Sequence, residues 1–180
     1  MFSKFELIGA AASVLAMTLA LYLVQSDLAN LGKAGSQPQQ AAVSLGQKDR
    51  VVVAGNQESL KEAISQSVGE DGNLKRMIID DIKFGTGEEV KAGDKVKVHY
   101  VGTLQNGQEF DNSRKRGEPF EFVVGKGMVI KGWDEGLVGM KVGGQRILVI
   151  PPEMAYGERG VGPIPPNATL VFAIELIEIE

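Results

Sequence analysis

An α+β fold, with antiparallel strands wrapped round one short helix, is what this sequence predicts, and three observations predict it. From about Leu74 onward, short runs of alternating apolar and polar residues follow one another, as half-buried strands do. Turn signals separate these runs, Asn106-Gly107 being the strongest. In Gly127–Met140 the period of two gives way, because Ile130, Trp133, Leu137 and Met140 recur at spacings of three and four. That spacing marks a short helix with one buried face.

Glycines in and around so short a helix make it poor on propensity, so packing must hold it. The chain's only Trp, Trp133, stands at its start. The helix is expected to lie across a concave sheet with the indole facing up, as the floor of a pocket. The plain alternative makes Trp133 an ordinary large core residue. Its company favours the pocket: Tyr100, Phe110, Asp111, Phe120, Val129, Ile130, Tyr156 and Phe172 stand beside turns or in alternating strands, where they can converge.

Taken in order, the chain opens with Leu7–Val24, a run rich in Ala, Leu, Val and Met without a charged residue. As a helix it would reach about 27 Å, against a hydrocarbon core of ~30 Å. Lys4 precedes it, Tyr22 sits where an interfacial aromatic belongs, and Gln25-Ser26-Asp27 ends it. Residues 1–25 therefore read as a membrane anchor, with the remainder on the periplasmic or another extracytoplasmic side. A cleaved signal peptide is the rival, but Thr18/Ala20 is followed by more apolar chain and Asp27/Ala29 carries a charge. Residues 26–74, rich in Gln, Ser, Ala and Gly, read as a flexible linker. Within it, Asn56 can cap a short helix over 56–68, with Leu60, Ala63, Ile64 and Val68 as its stripe and Gly69 as its stop. That helix either docks on the folded domain, mediates dimerisation, or stands frayed in solvent.

Residues 75–180 form the folded domain. Strands are expected over 77–84, 95–104, 109–111, 120–124, 145–150 and 169–179, with a basic, polar bulge at 112–118. In the second of these, Val96, Val98 and Tyr100 share one face and Lys97 and His99 the other, so His99 is expected in solvent, without chemistry.

The formal charge of -4, with no Lys/Arg stripe along any element, argues against nucleic acid as a partner. The absence of Cys excludes disulfides, thiolate metal sites and a Cys nucleophile, and the single His excludes a His-cluster metal site.

Five runs of residues carry a resemblance. They are Val98-His99-Tyr100-Val101-Gly102, Phe110-Asp111-Asn112-Ser113, Val129–Gly136, Ala155-Tyr156-Gly157 and Ile164–Phe172. In order and spacing, residues 75 to 180 closely resemble the FKBP-type peptidyl-prolyl cis-trans isomerases. The resemblance implies a highly curved five-stranded antiparallel sheet over a single helix, and isomerisation of Xaa-Pro bonds in client polypeptides during folding. It places catalytic roles on Tyr100, Asp111, Ile130 and Tyr156, and substrate binding on Phe110, Arg116, Phe120, Val129, Trp133 and Phe172. It implies proline-containing polypeptides as clients and macrolide immunosuppressant-type molecules as inhibitors, with no cofactor and no metal. Two departures bear on ligand selectivity: the 156–165 loop is about one residue shorter than in small members of the family, and Met128 stands where a polar residue is common.

Such a pocket needs no acid, base or metal, because Xaa-Pro rotation breaks no bond; a dry aromatic site favours the twisted, less polar amide. Asp111 has two readings, a carboxylate facing the twisted carbonyl or a structural acceptor for Arg116 and Tyr100. The rival function is a tethered chaperone or scaffold that binds proline segments with little turnover.

Overall fold

The computed structural model of the chain describes residues 50–53, 57–70 and 73–180. The apolar run at 7–24 and the first half of the expected linker lie outside the described residues.

The six expected strands form, each within a residue of its predicted ends, and a seventh, not expected, precedes them. They are β1 (Arg50–Val53), β2 (Met77–Lys83), β3 (Lys95–Leu104), β4 (Glu109–Asn112), β5 (Phe120–Val123), β6 (Gln145–Ile150) and β7 (Leu170–Ile179). The helices are α1 (Gln57–Ser67), α2 (Ser113–Arg116) and α3 (Lys131–Gly136), and Pro152–Met154 makes a single 3-10 turn. Strand order across the sheet is β1-β2-β6-β7-β3-β4, with β5 also on β3. β4 pairs with the end of β3 (Val101–Thr103) and β5 with its beginning (Lys95–Val98), so the two share one edge. The antiparallel part therefore has five ranks, as the resemblance implies, and β1 adds a parallel strand beside β2. Register breaks at Asp81/Lys83, Lys97/Val98 and Gly102/Thr103 supply the bends a curved sheet needs.

α3 is shorter than the 130–140 pattern suggests, because Gly139 turns the chain with a positive φ of 82°. Its own glycines have a packing reason. A Cβ on Gly132 would lie 2.5 Å from Ile150 Cγ2, and one on Gly136 would lie 2.8 Å from Leu148 Cδ1. The helix is thus pressed onto β6 at a distance that only glycine permits. Over it closes the main core, with Val96, Val98, Tyr100, Phe122, Trp133, Leu137, Leu148, Ile150, Phe172 and Ile174 all buried.

The far face of the sheet corrects the expected boundary. The stretch read as tether includes β1, which sequence reasoning did not anticipate, and α1, which it did. Val51, Ala63 and Leu74 join Ile78, Ile147, Val149 and Val171 in a second buried cluster, with Ile64 and Val68 packed against it. Of the alternatives for the helix at 56–68, docking on the domain is the one found. The folded unit accordingly begins by residue 50 rather than 75.

Candidate functional site

Trp133 stands in the first turn of α3, packs in the main core cluster and is 3 % exposed. Three rings meet it edge-on: Tyr100 of β3 at 4.9 Å, Phe172 of β7 at 5.2 Å and Phe120 of β5 at 6.0 Å between centroids. Phe110 of β4 stands perpendicular to Phe172 at 5.6 Å. Edge-to-face packing suits rings whose faces are negative and edges positive, and it leaves an apolar basin rather than a flat stack. Val129 and Ile130, partly buried, pack against the same cluster. The indole Nε1 is buried with no hydrogen-bond partner among the described residues.

One rim of the basin is polar. The Tyr100 hydroxyl donates to Asp111 Oδ2, Arg116 donates through Nη1 to Asp111 Oδ1 and through Nη2 to the Tyr100 oxygen at 2.9 Å, and the Asn112 N–H donates to Asp111 Oδ1 at 2.7 Å. The Arg116 guanidinium also lies 5.4 Å from the centre of the Tyr100 ring. Both Asp111 oxygens are therefore occupied, as the structural-acceptor reading expects. Burial first, and the Asp111 carboxylate second, push the Tyr100 phenol above its ordinary value, against the opposing pull of Arg116. Tyr156 is likewise pushed up, by burial first and then by the charge of Asp111.

Besides the indole Nε1, two further donors beside the basin have no partner among the described residues. Ile130 is the N-cap of α3 in an extended conformation; its carbonyl accepts from the Trp133 and Asp134 N–H groups at 2.9 and 3.2 Å, while its own N–H has no partner. The Tyr156 hydroxyl, 38 % of the residue being exposed, has none either. Nine of the ten residues singled out from the sequence are thus linked by packing or hydrogen bonds in one cluster, and Tyr156 feels the charge of its Asp111.

His99 departs from expectation. It is half-buried rather than in solvent, with Nδ1 3.0 Å from the Ser113 hydroxyl. Ser113, wholly buried, also accepts from the Tyr100 N–H at 2.8 Å and so braces the strand that carries Tyr100. Sequence reasoning also passed over Phe122, whose ring lies 5.6 Å from Trp133, and Gly102. A Cβ on Gly102 would lie 2.8 Å from Phe110 Cζ and 2.9 Å from Phe172 Cε1, so glycine makes room for both rings. A glycine inside an alternating strand is the signal that could have found it.

The sequence pattern of the FKBP-type peptidyl-prolyl cis-trans isomerase family matches residues 86–177. An FK506-binding protein of Neisseria meningitidis serogroup A is 52% identical over 104 residues, which cover 57% of this chain and 95% of that protein. FK506-binding protein 4 of Chaetomium thermophilum is 58% identical over 107 residues, 59% of this chain. The chain spans only 22% of the length of that larger relative. Among solved structures, FkpA from Escherichia coli superposes with a TM-score of 0.57 at 45% identity, covering 69% of this chain and 59% of that one. AtFKBP13 superposes with a TM-score of 0.56 at 44% identity, covering 63% of this chain and 98% of that one. With a matching pattern over half its length and an aromatic basin built from the residues of that pattern, the chain belongs to the FKBP-type peptidyl-prolyl cis-trans isomerase family.

Proposed function

We propose that this chain is a peptidyl-prolyl cis-trans isomerase that accelerates rotation about Xaa-Pro bonds in client polypeptides and so assists their folding. The observation that carries the reading is the basin itself: Tyr100, Phe120 and Phe172 edge-on to Trp133, with two unpartnered donors, Ile130 N–H and Tyr156 O–H, beside it. Amide resonance sets a barrier of ~18–20 kcal/mol to rotation. At the twisted transition state that resonance is lost and charge separation across the amide falls. The aromatic walls receive the pyrrolidine ring and exclude water, which favours the twisted amide over the planar one. The two donors hold the flanking peptide carbonyls and fix the axis of rotation. Each factor of ten in rate needs about 1.4 kcal/mol of such preference. Occupied at both oxygens, Asp111 serves mainly to hold Tyr100 and Arg116.

NMR exchange or protease-coupled kinetics on Leu-Pro and Phe-Pro peptides test the reading. Acceleration by the full chain, inhibited by the FK506-type macrolide after which its relatives are named, is the expected result. A folded protein that leaves the uncatalysed rate unchanged would remove the enzyme and promote the proline-segment chaperone.

The placement proposed for the chain is a membrane surface, held by Leu7–Val24, with the isomerase domain on the extracytoplasmic side. Its support is the uncharged apolar run and the polar stretch that follows. Intact-mass analysis of fractionated native protein decides the point: a soluble species starting near Leu21 or Asn30 would mean a cleaved signal peptide instead.

A further inference from the structure

We propose that Asp134 is a positioning residue for the isomerisation: its carboxylate sets the place of the Val129 wall and of the Ile130 N–H. The inference rests on the isomerase reading above and assigns a role that the ten basin residues leave open.

The segment joining β5 to α3 has little to hold it. Gly125 and Gly127 take φ values of 75° and 68°, in the left-handed region, and no strand or helix pairs Gly125–Val129. Among the described residues, two hydrogen bonds are donated by this backbone, and both end on one carboxylate: Gly125 N–H to Asp134 Oδ1 and Gly127 N–H to Asp134 Oδ2, each at 2.8 Å. α3 gives no help from its own cap, because Ile130 has no side chain able to bond the first turn. The backbone N–H of Asp134 meanwhile donates to the Ile130 carbonyl at 3.2 Å. The pair Val129-Ile130 is therefore held from both sides by one residue, the immediate neighbour of Trp133.

Carboxylate is the group the arrangement requires. Two N–H donors converge on it, and an ionised acceptor strengthens both bonds. Asn would meet one N–H with its oxygen and oppose the other with its own NH2, and Ala would meet neither. A misplacement of ~1 Å in a positioned group costs on the order of a hundredfold in rate, so a loosened turn is felt at the donor it carries. Asp134 bonds backbone and not the aromatic rings, so it acts through Ile130 rather than on the substrate.

The test compares the wild-type full chain with Asp134→Ala, Asp134→Asn and, as a control for charge alone, Glu135→Gln. Isomerisation of a Leu-Pro peptide is read by NMR exchange, amide-hydrogen exchange at Gly125, Gly127 and Ile130 is read alongside, and thermal unfolding supplies the folded fraction. We expect about a tenfold fall in kcat/KM for Asp134→Ala, carried by kcat, and about threefold for Asp134→Asn. Protection of Gly125 and Gly127 should be lost and the Ile130 amide resonance shifted, with Glu135→Gln at wild-type rate. Asp134→Ala within twofold of wild type, a fall that only tracks the unfolded fraction, or an equal fall in Glu135→Gln would overturn the proposal. Should Asp134→Ala not fold, Asp134→Asn, which keeps the volume, carries the same comparison. A wild-type chain at the uncatalysed rate would instead sink the isomerase reading. The Ile130 amide shift on adding the peptide would then still decide the clamp, an identical shift in wild type and Asp134→Asn ruling it out.

Discussion

At the scale of single residues, Trp133 separates pocket from core. It is buried and ringed by aromatics, yet its Nε1 has no partner, so Trp133→Phe gives up no hydrogen bond. That variant should stay folded, with reduced turnover and weaker macrolide binding, whereas Trp133→Ala should cost about 3–5 kcal/mol in chemical denaturation. Unfolding of Trp133→Phe would make the indole a core keystone first and a floor second. Asp111→Ala should lower activity without abolishing it. The side chains of the Asp111–Arg116 pair are 39% and 40% exposed, so the stability cost should be about 1 kcal/mol rather than that of a buried ion pair. Complete loss of turnover at unchanged melting temperature would give Asp111 a direct electrostatic role. The two tyrosines set an alkaline limit. Their folded values lie above 10.0, so the stability they contribute is complete below pH 10 and falls away as pH rises through the raised values. Turnover should persist past pH 10 and then decline, and Tyr156→Phe should alter that limb.

At the scale of elements, the pieces differ in how openly the sequence announced them. β3, β6 and β7 were legible because alternation and turn signals agreed, and the ring of Tyr100, Phe120 and Phe172 followed from which face each alternate residue takes. β1 was not, since four residues in a polar stretch show no period. A signal did exist elsewhere. Met77-Ile78-Ile79 and Ile147–Ile150 are continuous apolar runs, which strands covered on both faces require, and the cover on the second face is α1 with β1. Asp134 was invisible for a different reason: its partners are backbone N–H groups, and a sequence does not show where those point. Removing β1 and α1 by starting the chain at Leu74 should uncover Ile78, Ile147, Val149 and Val171. At about 1 kcal/mol for each half-uncovered side chain, that loss should lower the denaturation midpoint markedly. Turnover per folded molecule should survive, because the basin is on the opposite face; a fragment as stable as one starting at residue 50 would show that α1 packs without consequence.

At the scale of the whole molecule, charge and topology both turn on the C-terminal strand. Lys95 and Lys97 of β3 reach Glu180 just past the end of β7, and hydrogen bonds from Lys95 first and Lys97 next hold the Glu180 carboxyl down to about 2. Its contribution is complete above its ordinary value of 4.5 and is lost as pH falls toward 2. Glu180→Gln should therefore destabilise the protein at pH 6 and make a much smaller difference at pH 2, and salt should shrink the gap at pH 6. The same strand pairs with β6 along one edge and with β3 along the other, from Leu104↔Leu170 to Val96↔Ile179. The last strand in sequence is thus the seam of the sheet. During synthesis β2, β3 and β6 precede the one element that joins them, so the sheet cannot close, nor Phe172 reach Trp133, until β7 is made. Until that ten-residue strand is in place, the aromatic basin lacks its Phe172 wall and the candidate site is incomplete.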